Sequence, residues 1–122
     1  MKGIDIYEAA ALGCIPENGY ILCGRFTPGG NVLYDVVIYN GLIGTEEGKG
    51  TLSLEFSSCT VITLEPEAEG KIRKTRKNIT EPFRYEAAPQ LGKNFAFLFP
   101  AGEDTEKLIE HFMHKELKYT RP

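Results

Sequence analysis

The sequence contains no CxxC pair and no cluster of histidines and cysteines at zinc-ligand spacing, which excludes a structural zinc module. No window approaches the ~18 apolar residues of a membrane-spanning helix. The opening stretch Met1-Lys2-Gly3-Ile4-Asp5-Ile6-Tyr7-Glu8 lacks the apolar run of a secretion signal. Internal repeats, low-complexity tracts and linkers are absent as well. Neither sign of charge dominates: 14 Lys and Arg stand against 17 Asp and Glu, a formal net charge of −3. That balance argues against nucleic acid or an acidic membrane as the partner of the whole surface. Cysteine is scarce and odd in number, with Cys14, Cys23 and Cys59 far apart among apolar or small neighbours. They read as reduced, mostly buried thiols in a cytoplasmic protein. Asn78-Ile79-Thr80 matches a glycosylation sequon, and without a signal sequence the match is put down to chance.

What remains is one globular domain over residues 1–122, with 42% hydrophobic and 25% charged residues. Asp5-Ile6-Tyr7-Glu8 forms a capping box that opens a helix of about two turns, closed at Gly13. Tyr20 to Phe26 and Val32 to Tyr39 are strands joined through Thr27-Pro28-Gly29-Gly30-Asn31 as a hairpin. The second is apolar on both faces except at Asp35, the pattern of a central strand. Asn40-Gly41 is a hairpin-turn signal, with Leu42-Ile43-Gly44 starting a return strand. Leu52, Leu54 and Phe56 point inward by strict alternation, Ser57-Ser58 allows a bend, and Cys59 to Leu64 is strand-like again. Lys71 to Lys77 is basic on both faces and so belongs at a sheet edge. A short strand around Phe83 and Tyr85, interrupted at Pro82, follows.

The chain closes on a strand, Asn94-Phe95-Ala96-Phe97-Leu98-Phe99, that runs through Pro100-Ala101-Gly102 into a helix. Leu108, Ile109, Phe112, Met113 and Leu117 give that helix its apolar stripe. The expected fold is therefore α+β: an antiparallel sheet or partly closed barrel of about six to seven strands, a short N-terminal helix, and a C-terminal amphipathic helix packed on the sheet.

No catalytic constellation emerges. Gly44-Thr45-Glu46-Glu47-Gly48-Lys49-Gly50-Thr51 has a lysine after glycine, yet Ile43 and Gly50 occupy positions where a phosphate-binding loop needs glycine and Ser or Thr. A flexible hairpin loop is expected there. His111 and His114 lie opposite the apolar stripe beside lysines, an exposed face and no metal site. No Ser or Cys sits in a nucleophile elbow. Asp35 is either a buried acid–base group or a carboxylate that pairs with Arg25 or caps a barrel mouth.

The strongest binding signal is Lys71, Arg73, Lys74, Arg76 and Lys77, five cations within seven residues, joined by Phe83, Arg84 and Tyr85. Aromatic rings beside arginines can stack on bases and hold phosphates. The same run reads equally as an edge strand balanced across a hairpin by Glu65, Glu67 and Glu69.

The closing strand and Thr105 to Leu117 resemble the pleckstrin-homology-like superfold, including GRAM- and PTB-type domains. The Asp5 to Gly13 helix and the late position of the basic cluster depart from that pattern. The expected function is a non-catalytic binding domain, without cofactor, that recognises a protein partner or a small anionic ligand. A second reading is a small sequestering protein, phage- or mobile-element-encoded, that traps a phosphorylated or nucleotide-like metabolite. A homo-oligomer is left open.

Overall fold

A computed structural model describes residues 4–26, 32–48, 51–67, 71–87 and 95–100. Seven strands appear in chain order: β1 (Ile4–Asp5), β2 (Gly19–Phe26), β3 (Val32–Gly48), β4 (Thr51–Pro66), β5 (Ile72–Ile79), β6 (Phe83–Ala87) and β7 (Phe95–Pro100). One helix, α1 (Ile6–Ala11), lies between β1 and β2. All described pairings are antiparallel, in the order β1-β7-β2-β3-β4-β5, with β6 also paired to β4.

The α+β expectation is thereby corrected. Strands make up most of the described residues, and the one helix among them has six residues. The stretch Thr105 to Leu117, on which a C-terminal amphipathic helix was expected, lies outside the described residues, as do His111, His114 and the turn Thr27 to Asn31.

The short helix has both of its ends satisfied. Asp5 Oδ1 accepts from the Tyr7 and Glu8 amides at 2.9 and 3.3 Å. At the other end the Cys14 amide donates to Ala9 O and the Gly13 amide to Ala10 O, with Gly13 at φ +66°. This pair of bonds is the Schellman arrangement, which glycine alone adopts without strain. Helix α1 then buries Ile6 and Ala9 in the core, the burial that so short a helix needs to persist.

β3 and β4 are 17 and 16 residues long, and they bend. Before the bend Val37 and Tyr39 of β3, and Cys59 of β4, face the main core; after it Leu42, Leu52, Leu54 and Phe56 do. Tyr39 to Leu42 and Phe56 to Cys59 are odd steps, so the inward side switches in both strands at the same place. Gly41 sits there at φ +68°, and a Cβ on it would lie 2.6 Å from Ser57 Oγ. The Gly41 amide donates to Asn18 Oδ1 and the Leu42 amide to Glu17 O. Asn40-Gly41 therefore makes no hairpin. Its positive φ is spent on a corner within a continuous strand.

The third strand of the bend is broken in two. Ile79 of β5 pairs with Cys59, and Phe83 of β6 pairs with Phe56. Two residues of β4 (Ser57, Ser58) thus stand against three on the partner (Thr80, Glu81, Pro82), a one-residue bulge that accommodates a proline. A matching register shift falls between Leu42 and Gly44 of β3. The stretch Gly44 to Gly48, expected as a loop, is strand: β3 runs to Gly48, opposite Thr51.

Beyond the bend, β6 and the adjoining ends of β3 and β4 form a ribbon folded over the rest of the sheet. Leu52, Leu54, Phe56 and Ala87 consequently share one core with Ile6, Ala9, Ile21 and Leu98. Tyr39 stacks on Phe56 at 4.2 Å between ring centroids. A second cluster, Tyr20, Leu22, Tyr34, Val36, Ile62, Leu64 and Phe99, occupies the opposite face of the sheet, with Tyr20 stacked on Phe99 at 4.9 Å.

Phe56, fully buried at the corner, should cost about 3–5 kcal/mol when replaced by Ala. Gly41→Ala should destabilise by about 1–3 kcal/mol through its backbone angle and the Ser57 contact, and Gly41→Ala with Ser57→Gly should recover only the contact. Urea midpoints of the three variants measure this. Full recovery in the double variant would contradict a left-handed corner.

Candidate functional site

The inner face carries a polar row at one end of the core. Cys23, Asp35 and Thr63 lie directly opposite one another on β2, β3 and β4. Asp35 is 8% exposed, and the Thr63 hydroxyl donates to its Oδ1 at 2.9 Å. The Cys23 thiol donates to the Asp35 carbonyl at 3.4 Å. Arg25, the partner expected for Asp35, has a side chain outside the described part of the structure. Thr63 supplies the hydrogen bond that a buried carboxylate needs.

Tyr85 reaches this row from the folded ribbon and hydrogen-bonds Cys23. Tyr85 pairs with Leu54, whereas the row crosses β4 at Thr63, nine positions further on. Along a straight strand those positions stand about 30 Å apart, so the contact exists only because of the bend. Burial, then Cys23, Tyr7 and Asp35, push the Tyr85 phenol far above the ordinary tyrosine range and hold it neutral. Burial and Asp5 also raise Tyr7, whose hydroxyl is buried without a hydrogen-bond partner among the described residues.

These groups answer one another: a carboxylate held by threonine, a thiol bonded to a carbonyl and a phenol that stays protonated. Such a row fixes the ribbon on the sheet.

The residues expected at a binding site divide between two faces. β5 pairs with β4 from Cys59↔Ile79 to Pro66↔Ile72. Arg73 and Lys77 stand opposite Glu65 and Val61, on the side of the polar row, while Lys74 and Arg76 stand opposite Leu64 and Ile62, on the other. Lys71 precedes the strand, and its carbonyl accepts from the Glu67 amide at 2.7 Å in the β4–β5 connection. Arg73 contacts Glu65 at 2.6 Å and Glu67 at 3.5 Å, and the Glu65 hydrogen bond followed by the charge of Glu65 and Glu67 raises its pKa further. The balance expected across the hairpin is present at Arg73; Glu69 lies outside the described residues.

On β6, Phe83 and Tyr85 pack inward against the core and Arg84 points outward. Arg84 is exposed, pairs with Glu46 at 3.2 Å and Glu86 at 3.7 Å, and borders a shallow groove of about 160 Å³ with Ile43, Glu46, Ser53 and Glu55. No surface assembles Phe83, Arg84 and Tyr85 together, because strand alternation separates them. Sequence reading missed Cys23, Thr63 and Tyr7 as partners of Asp35 and Tyr85. The pairing register sets Cys23 and Thr63 beside Asp35, and the bend brings Tyr85 to them.

The cysteines are free, with Cys23 and Cys59 buried and Cys14 exposed, in line with mostly buried thiols. Burial raises the Cys59 thiol. No helix among the described residues is long and apolar enough to cross a membrane, and those residues hold no group of acidic, histidine or cysteine side chains arranged for a metal. Comparison with protein-family models, with curated proteins and with solved structures finds no match.

Burial pushes both Tyr20 and Tyr39 up to about 12, and Tyr85 beyond. An unfolded chain releases tyrosine protons near pH 10, so between about pH 10 and 12 it binds fewer protons than the folded one. Stability should be full below about pH 10 and fall above it, by up to about 1.4 kcal/mol per pH unit for each tyrosine. Urea unfolding at about pH 9 and 11 measures the slope, and Tyr39→Phe should flatten it. Unchanged stability across that interval would contradict the burial of these phenols.

Proposed function

We propose that this protein is a non-catalytic cytoplasmic binding domain that holds an anionic partner along β5. The observation that carries this reading is the position of β5. It ends the sheet order among the described strands, and every residue from Arg73 to Asn78 is exposed. An end strand presents main-chain donors and acceptors as well as side chains, and here cations project from both of its faces. The five cations of residues 71–77 outnumber the three carboxylates Glu65, Glu67 and Glu69 that precede them. A local excess of this kind attracts anions although the whole chain is acidic. Free thiols fit a reducing compartment. The inner polar row, closed on itself, supports binding in preference to catalysis.

A second reading has one specific observation in its favour. Arg73, Thr75 and Lys77 share one face of β5, which sets two cations and the Thr75 hydroxyl in one area. That chemistry suits a phosphorylated metabolite, and with it a sequestering role.

A thermal-shift panel of acidic peptides, nucleotides, cyclic nucleotides and inositol phosphates tests both readings. At a hundredfold excess over its dissociation constant a bound anion should stabilise by about 2.7 kcal/mol, less in high salt. Lys74→Glu with Arg76→Glu should abolish a response that uses the face of Leu64 and Ile62, and Arg73→Gln with Lys77→Gln one that uses the face of Thr63. A panel in which no anion shifts the melting temperature would overturn both.

A further inference from the structure

We infer that β5 takes its partner as an added strand: an extended acidic segment of another protein, laid along the outer edge of β5. This rests on the reading of β5 as the binding site and names the partner. β5 pairs with β4 over eight consecutive residues without a register shift, and Ile72–Ile79 contains neither proline nor glycine. Among the described strands β4 is the one neighbour of β5, and in an antiparallel strand about half of the amides and carbonyls point away from a given neighbour. Over the length of β5 those groups form a regular ladder that another extended chain can complete.

The side chains then select which chain. Arg73 and Lys77 on one face, with Lys74 and Arg76 on the other, would stand about 5 Å from the residues of an added strand. Carboxylates on either face of that strand meet a cation, so an acidic segment fits in more than one register. The sheet already contains the contact that the partner would repeat: Glu65 stands directly opposite Arg73 across the β4–β5 pair and bonds it at 2.6 Å. Arg73 keeps this bond, since a guanidinium has five donors and can serve a second carboxylate. A second copy of β5 would set cation against cation, which disfavours self-pairing through this edge. The basic edge therefore disfavours its own kind and other basic strands, and favours an acidic one.

The test uses a fluorescent acidic peptide as long as β5, with glutamates at both odd and even positions, titrated against the full chain. Wild type should bind it saturably, more weakly as salt rises, and Lys74→Glu with Arg76→Glu should lose roughly tenfold or more in affinity while melting cooperatively. N-methylation separates strand addition from simple charge attraction. Methyl groups on every second residue leave one peptide edge intact and should preserve binding. Methyl groups on consecutive residues block both edges at unchanged charge and should abolish it. If the fully blocked peptide binds as well as the parent, strand addition is wrong and an anion site on β5 still stands. If nucleotides or inositol phosphates bind through β5 and no peptide does, the same conclusion follows. Failure of every anion would remove the underlying reading too.

Discussion

The structure depends on a bend. Three strands turn at one level, through Gly41 in β3, Ser57 and Ser58 in β4, and the Thr80 to Pro82 bulge between β5 and β6. Each position uses a different means of leaving the regular ladder: a left-handed glycine, two small side chains, and an extra residue with a proline. The turn switches which side of β3 and β4 faces inward, so that Tyr39 and Leu42, or Phe56 and Cys59, reach the same core. Without it, Leu52, Leu54 and Ala87 would not share a core with Ile6, Ala9, Ile21 and Leu98, and Tyr85 would stand far from Cys23.

Folding the ribbon over the sheet has opposite effects on its two ends. Inside, it brings Tyr85 to the polar row of Cys23, Asp35 and Thr63, where the Thr63 hydroxyl and the Cys23 thiol donate to Asp35. Buried polar groups of this kind favour one arrangement of the ribbon over others, because a displaced ribbon would leave Cys23 and Tyr85 without each other. Outside, β4 is covered by β6 beyond the bend and by β5 before it, and β5 remains at the end of the described sheet. The proposed function follows from that division: the interior is closed, and recognition falls to the rim.

Much of the fold is written locally. Asp5 and Gly13 announce the helix limits, the alternation of Leu52, Leu54 and Phe56 announces an inward face, and a basic Lys71 to Lys77 announces an edge. What is not legible is where a local signal serves a non-local end. Asn40-Gly41 has the chemistry of a hairpin turn, and whether its positive φ reverses the chain or bends it depends on Asn18, Glu17 and Ser57, which no window around it contains. The glycine-rich Gly44 to Gly48 looks like a loop and is held as strand by its pairing with Thr51 to Glu55. At the site, the charges on β5 were readable as an edge, whereas their division between two faces needed the register. The separation of Phe83 and Tyr85 from Arg84 is plain strand alternation, whereas the approach of Tyr85 to Cys23 needed the bend.

Amide hydrogen exchange along β4 and β5 tests the central claim, that β5 is a fully paired strand whose outer edge no described strand covers. The account predicts an alternating pattern from Ile72 to Ile79, with amides directed at β4 protected and those between them exchanging quickly, while the amides of β4 in the same region are protected throughout. An acidic peptide bound to the edge should slow the fast set alone. Uniform protection along β5 would mean that its outer edge is already covered, and uniformly fast exchange would mean that the strand is not formed. Either result would contradict the account.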